Sequence, residues 1–228
     1  MKNLFLTLGI LVIFVGCAKE DRVVVPIKIN YKVGVSEYKQ GIFENSSIYY
    51  ENNFGLIEYY KGDYKNALIK FNQALKLLKS NKNNTNSLEG IVYFNMADTY
   101  RKKGEYYKAI DYYKKSIDSN KIKLGEGDIS LAYAFDNMGF SYGIKIDFNK
   151  AIIHYEESLK IKLNKFKAKN LSLAWTYIGL GDTYKRKGKS KKAVENYTKA
   201  FAIQSEILGR YHSHTRSTKG KIRFVDRF

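Results

Sequence analysis

Catalysis and metal binding need particular side chains at short spacing, and this 228-residue chain offers few of them. Cysteine occurs once, at Cys17, so no disulfide can close within the chain. Histidine occurs three times, at His154, His212 and His214. His212 and His214 could begin a metal site, but no cysteine or nearby carboxylate completes the ligand set, and no metal is expected. The glycines do not form a phosphate-cradling loop. The chain is therefore expected not to be an enzyme, with no catalytic residues, no cofactor and no small-molecule substrate. What remains is ionic and hydrogen-bonding chemistry. Asn53, Asn95 and Asn137 stand 42 residues apart, and each amide offers donors and an acceptor that can pair with a peptide main chain. ADTYRKKG (97–104) and GDTYKRKG (181–188) stand 84 residues apart. They place Asp98 with Arg101 and Lys102, and Asp182 with Lys185 and Arg186. An aspartate and a base three residues later share a helix face. They can form a weak intrahelical ion pair, or present the base to a carboxylate of a bound peptide.

Composition sets the setting for these groups. Lys and Arg outnumber Asp and Glu by 40 to 22, a net charge of +18. That excess fits either an anionic neighbour or a solvated, Lys-rich surface. The single proline, Pro26, leaves long stretches free to be helical. At the N-terminus, Lys2 precedes an apolar run from Leu4 to Val15, too short to span a bilayer and of the length of a signal-peptide core. It ends Phe14-Val15-Gly16-Cys17. This resembles a bacterial lipoprotein signal, in which a small residue precedes the cysteine that becomes the acylated N-terminus; Phe14 departs from the usual leucine. The resemblance implies a signal peptide over 1–16, a lipid-bearing Cys17, and a tether over 17–45. Ala18 rather than an acidic residue after Cys17 implies a bacterial envelope location with the outer membrane favoured.

The rest of the chain is repetitive. GDYKNALIKFNQAL (62–75), GEYYKAIDYYKKSI (104–117), IDFNKAIIHYEESL (146–159) and GKSKKAVENYTKAF (188–201) align, with Ala67, Ala109, Ala151 and Ala193 each 42 residues after the last. Ala67, Phe71, Ala74, Leu75 and Leu78 form one apolar helical stripe. Gly62, Gly104 and Gly188 mark turns, with Ile146 at the equivalent place in the third unit. Gly55, Ala97, Gly139 and Gly181 recur where two helices must approach closely. The pattern resembles the tetratricopeptide repeat, carried by Tyr93, Met96-Ala97, Tyr100, Gly104, Tyr106, Ala109 and Tyr113 in the second unit and by their counterparts in the others. The 42-residue period is like that of kinesin light chains, and Leu208-Gly209, His212 and Thr215 look like the link between such repeats. The resemblance implies an all-α, right-handed superhelical solenoid of about four helix-turn-helix repeats over 46–209, near 48–89, 90–131, 132–173 and 174–209. A capping helix over 210–228 follows, with the polar stretch Arg216 to Lys219 on its outer face. Most tyrosines are then core.

In that family the first helix of each unit lines a concave groove. The resemblance implies that Asn53, Asn95, Asn137, Asp98, Arg101, Lys102, Phe140, Trp175, Asp182, Lys185 and Arg186 face it, with Gly179 ending the asparagine series. Trp175 is either an interface anchor or inter-repeat packing. The function expected is a membrane-anchored adaptor binding an extended peptide or helix, with acidic side chains suited to the basic residues. Two alternatives stand beside it: a basic envelope scaffold on anionic lipid or wall polymer, and a surface lipoprotein engaging a host protein. Nucleic acid is not an expected partner, because the anchor places the chain outside the cytosol.

Overall fold

The structure is a computed structural model and describes residues 14–17, 21–24, 43–80, 88–166 and 170–225. The apolar run up to residue 13 and most of the tether lie outside the described residues, and so does Pro26. Two short strands, β1 (Phe14–Cys17) and β2 (Asp21–Val24), pair antiparallel, with Phe14 opposite Val24 and Cys17 opposite Asp21. The sequence reading puts Phe14 to Gly16 at the end of a signal peptide and Asp21 to Val24 in a tether, and does not anticipate a hairpin that includes Cys17.

All other described secondary structure is helical. The helices are α1 (Phe43–Lys61), α2 (Tyr64–Ser80), α3 (Leu88–Lys102), α4 (Tyr106–Leu124) and α5 (Ile129–Ile144), then α6 (Phe148–Lys165), α7 (Leu171–Arg186), α8 (Ser190–Ile207) and α9 (Ser213–Val225). This is a helix-turn-helix repeat solenoid. The chain divides into two compact units, residues 1–99 and 100–228, with the boundary inside α3. In the first, α1 packs on α2; in the second, each helix from α4 to α8 packs on its successor.

The 42-residue period appears directly as packing. Ala67, Ala109, Ala151 and Ala193 are all fully buried. Facing them, the first helix of a pair carries a small residue where the second carries a ring. A Cβ added at Gly55 would lie 2.5 Å from the Phe71 ring, one at Gly139 2.9 Å from Tyr155, and one at Gly181 2.5 Å from Tyr197. Such distances are below van der Waals contact, so the rings occupy space that only a missing side chain leaves. Tyr113, Tyr155 and Tyr197 are buried accordingly.

The four tight turns share one hydrogen-bonding scheme. Asp63 N–H donates to Glu58 O, Glu105 to Tyr100, Asp147 to Tyr142 and Lys189 to Tyr184, at 2.8 to 3.0 Å. This is a Schellman closure, whose preceding residue must adopt the left-handed conformation. Gly62, Gly104 and Gly188 do so at φ 85, 79 and 76, and Ile146 does so at φ 66. Ile146 therefore holds a conformation disfavoured for a β-branched residue by roughly 1–2 kcal/mol. α9 closes the second unit through Val225, which packs with Ala193 and Tyr197. Its polar stretch is not wholly outward: Arg216, Ser217 and Lys219 are exposed, but Thr218 is buried and donates to Gln204 Oε1 at 2.8 Å.

Candidate interaction cleft

In the first unit, two of the expected residues are engaged within the fold. Asn95 Nδ2 donates to Asn52 Oδ1 at 2.9 Å, across 43 positions, so the α3 amide meets its α1 neighbour. The Tyr59 hydroxyl donates to Asp98. Asn53 is half-buried on α1. In the second unit Asn137 is half-buried, and its main-chain oxygen accepts from Ser141. The series stops at Gly179 for a steric reason. A Cβ there would lie 2.6 Å from the Tyr155 ring, so no asparagine fits.

The second unit contains a cleft of about 550 Å³ between α5, α7 and α9. Phe140, Trp175, Asp182, Lys185 and Arg186, all named from the sequence, line it together with Ile144, Ile178 and Lys221. Part of its apolar wall is open to solvent. Phe140 is 42% exposed and Trp175 45%, although burial of either would be favourable by about 25 cal/mol per Å² of apolar surface.

The polar groups of the cleft are held in place by their neighbours. Asp182 accepts from the Tyr197 hydroxyl at 2.7 Å and from Lys221 Nζ at 2.5 Å. Its carboxylate is thus turned to α8 and α9 and does not form the ion pair with Lys185 that the spacing permits. Lys185 instead lies 4.1 Å from the centre of the Phe224 ring. Arg186 donates to the Gly143 carbonyl at 2.7 Å and stacks on Phe148 at 5.1 Å. Arg101 sits 5.7 Å from the Phe140 ring centre and donates to the Tyr113 hydroxyl at 3.3 Å. Lys102 is exposed on the surface. Trp175 meets His214 of α9 edge-on, with centroids 4.9 Å apart.

Burial and the Asp182 carboxylate push the Tyr197 hydroxyl well above the usual tyrosine range, so it stays protonated and donates. Lys221 was missed by sequence reasoning. It is one more lysine on a lysine-rich segment, and its role depends on how α9 lies on α7. The available signal was the 39-residue spacing to Asp182, which is meaningful only once the neighbouring helix is known. Among the described residues no cluster of His, Cys, Asp and Glu could hold a metal ion, and no helix is long and apolar enough to cross a membrane.

Comparison with known proteins agrees with this architecture. The tetratricopeptide repeat family matches residues 45–121 and 129–206. A TPR repeat-containing protein of Methanocaldococcus jannaschii, MJ1428, is 35% identical over 86 residues; these are 38% of this chain and 14% of that protein's length. Among solved structures, BtubC (BKLC) from P. vanneervenii superposes with a TM-score of 0.68 at 21% identity, over 80% of this chain and 76% of that one. Nearly identical kinesin-light-chain TPR-like repeats from Podosopora anserina give 0.66 at 14% identity, over 78% and 84%. The apo form of RapI gives 0.68 at 15% identity, over 86% and 53%. These identities speak for the fold alone.

Proposed function

Because the chain belongs to the tetratricopeptide repeat family, whose members generally act as protein-interaction scaffolds, we propose that it is an adaptor that holds a partner peptide or helix in the cleft of its second unit. The observation that carries this reading is the pairing of an exposed apolar wall with an excess of cations. The exposed Phe140, Ile144 and Trp175, with the half-buried Ile178 among them, stand beside Lys185, Arg186 and Lys221, against the single carboxylate of Asp182. Such a site fits an apolar side chain flanked by acidic ones, because the apolar anchor supplies binding energy and the charges select the partner. Asn137, on α5 of the same unit, belongs to this proposal as a main-chain partner; Asn53 and Asn95 are proposed as main-chain partners within the first unit by itself, with Asn95 releasing Asn52 when it binds. The adaptor is tethered to a bacterial envelope membrane through lipid on Cys17.

A photo-crosslinking residue placed at Tyr211, exposed beside the cleft-lining helix α9, tests the reading in cells. A discrete adduct is expected that disappears in Trp175→Ala and weakens in Lys185→Glu. An adduct indifferent to both variants would refute binding in the cleft. Cys17→Ala should let a high-salt wash release the protein into the soluble fraction; retention on membranes after that wash would refute the anchor.

A further inference from the structure

The four turns occupy one register, and the residue after the left-handed position is Asp63, Glu105, Asp147 and Lys189. The three carboxylates do similar work. Asp63 accepts Asn66 N–H at 3.0 Å. Glu105 receives Lys103 at 2.6 Å and Lys108 at 2.7 Å. Asp147 receives Lys150 N–H at 3.2 Å and its ammonium at 2.9 Å. Glu105 and Asp147 pair with lysines of their own turns, and all three carboxylates complement the positive end of the following helix. Lys189 reverses this. It places a cation, with no side-chain cap, at the helix N-terminus where the other three turns place a carboxylate. Residues 185–192 read KRKGKSKK: six cations, no carboxylate, all exposed except a half-buried Ser190. Like charges here oppose the helix dipole and one another, so the substitution works against folding.

The neighbouring turn is unusual in a complementary way. Arg186 reaches the Gly143 carbonyl, and Lys187 donates to the Asn149 side chain, so this turn and the one at 145–149 lie side by side. At the tip of the latter stands Ile146, 68% exposed, in the conformation that the other turns give to glycine. An aliphatic tip is thus held out beside a cationic cluster.

We propose that this edge of the second unit docks on an anionic phospholipid surface. Lys187, Lys189, Lys191 and Lys192 meet headgroup phosphates, and Ile146 enters the boundary between headgroups and acyl chains. Charge complementarity favours an anionic occupant. The exposed β-branched tip favours a bilayer, because an interfacial site combines electrostatic attraction with apolar insertion. A soluble polyanion has no use for the isoleucine. The surface needs neither the cleft nor an acyl chain on Cys17.

The test is co-sedimentation of the full-length chain carrying Cys17→Ala with vesicles of phosphatidylcholine mixed equally with phosphatidylglycerol. Adding Lys189→Asp, which restores the carboxylate of the other turns, together with Lys191→Glu, which removes a further cation from the first turn of α8, should weaken partitioning by about tenfold or more. The thermal midpoint should stay level or rise, so misfolding cannot explain the loss. Ile146→Gly should weaken partitioning severalfold while also raising the midpoint. Partitioning of the charge-reversed variant equal to that of its parent would overturn the proposal. So would an Ile146→Gly variant that binds vesicles normally, with an oligonucleotide or polyglutamate competing away both forms; that result would assign the edge to a soluble polyanion.

Discussion

The junction between α6 and α7 and the junction between α8 and α9 are built at one register, 42 residues apart, from different chemistry. In the first, buried Lys162 donates to Thr176 Oγ1 at 2.8 Å and to the Ser172 carbonyl at 3.2 Å, and pairs with Asp136. In the second, buried Gln204 accepts from Thr218 Oγ1 at 2.8 Å, and Ile178 takes the place of Asp136. One period before Lys162, Asn120 does the same work, donating to Ser130 Oγ at 3.0 Å. The register therefore calls for a buried polar residue that ties one repeat to the next, and leaves its charge open. A neutral amide can leave one group unpaired, as Gln204 Nε2 does, at about 1–3 kcal/mol. A charge cannot, so Lys162 requires Asp136. Burial pushes the Asp136 carboxyl up and the Lys162 ammonium down, and their mutual attraction counters this only in part. An acid raised in the folded state loses stability as pH rises past its unfolded value; a base lowered loses it as pH falls below its own. At neutral pH both shifts oppose folding.

The sharpest way to break the comparison is Lys162→Met. It strands the Asp136 carboxylate and should lower unfolding free energy by about 3–5 kcal/mol in denaturant titration. The double variant Asp136→Ile with Lys162→Gln, which copies the α8/α9 junction, should return to within about 1 kcal/mol of the parent or exceed it. A single variant as stable as the double would mean that the ion pair imposes no such dependence.

On the neutral side, Thr218→Val leaves Gln204 Oε1 unpaired. It should destabilise by about 1–2 kcal/mol, and amide exchange should show α9 opening before the rest of the second unit. Uniform exchange across the unit would mean that the bond does not hold the cap. A control on backbone strain comes next. Ile146→Gly should gain about 1 kcal/mol, because relief of the left-handed strain exceeds the added flexibility of the unfolded chain. Ile146→Ala should gain nothing.

The smallest effect is a pH dependence that must be separated from the charged junction. His154 stacks on Phe135 and Tyr142, at 5.8 and 5.2 Å, and burial pushes its imidazole below the usual range. Lys114 and Lys150 push the same way, while Glu157 and Asp147 oppose. The folded state thus favours the neutral ring, and stability should fall as pH drops below about 6.5. His154→Phe should flatten that part of the profile and leave any Lys162 dependence in place.

Much of this protein is legible in its sequence. The pairing of helices, the turns at Gly62, Gly104 and Gly188, and the burial of Ala67, Phe71, Ala109 and Tyr197 follow from periodicity, because each is a local preference repeated at constant spacing. Even the odd turn at Ile146 was marked by its missing glycine. The cleft was partly legible: five of its residues sit on two helix faces whose spacing repeats. What tertiary structure alone decided was how the polar groups are spent. Asn95 meets Asn52, Asp182 is held by Tyr197 and Lys221, Thr218 turns inward to Gln204, and Lys162 depends on Asp136. Each of these joins residues 14 to 43 positions apart, on different helices. A sequence period states which residues share a helix face, but a hydrogen bond needs two groups within about 3 Å, and only the packing of one helix on the next sets that distance.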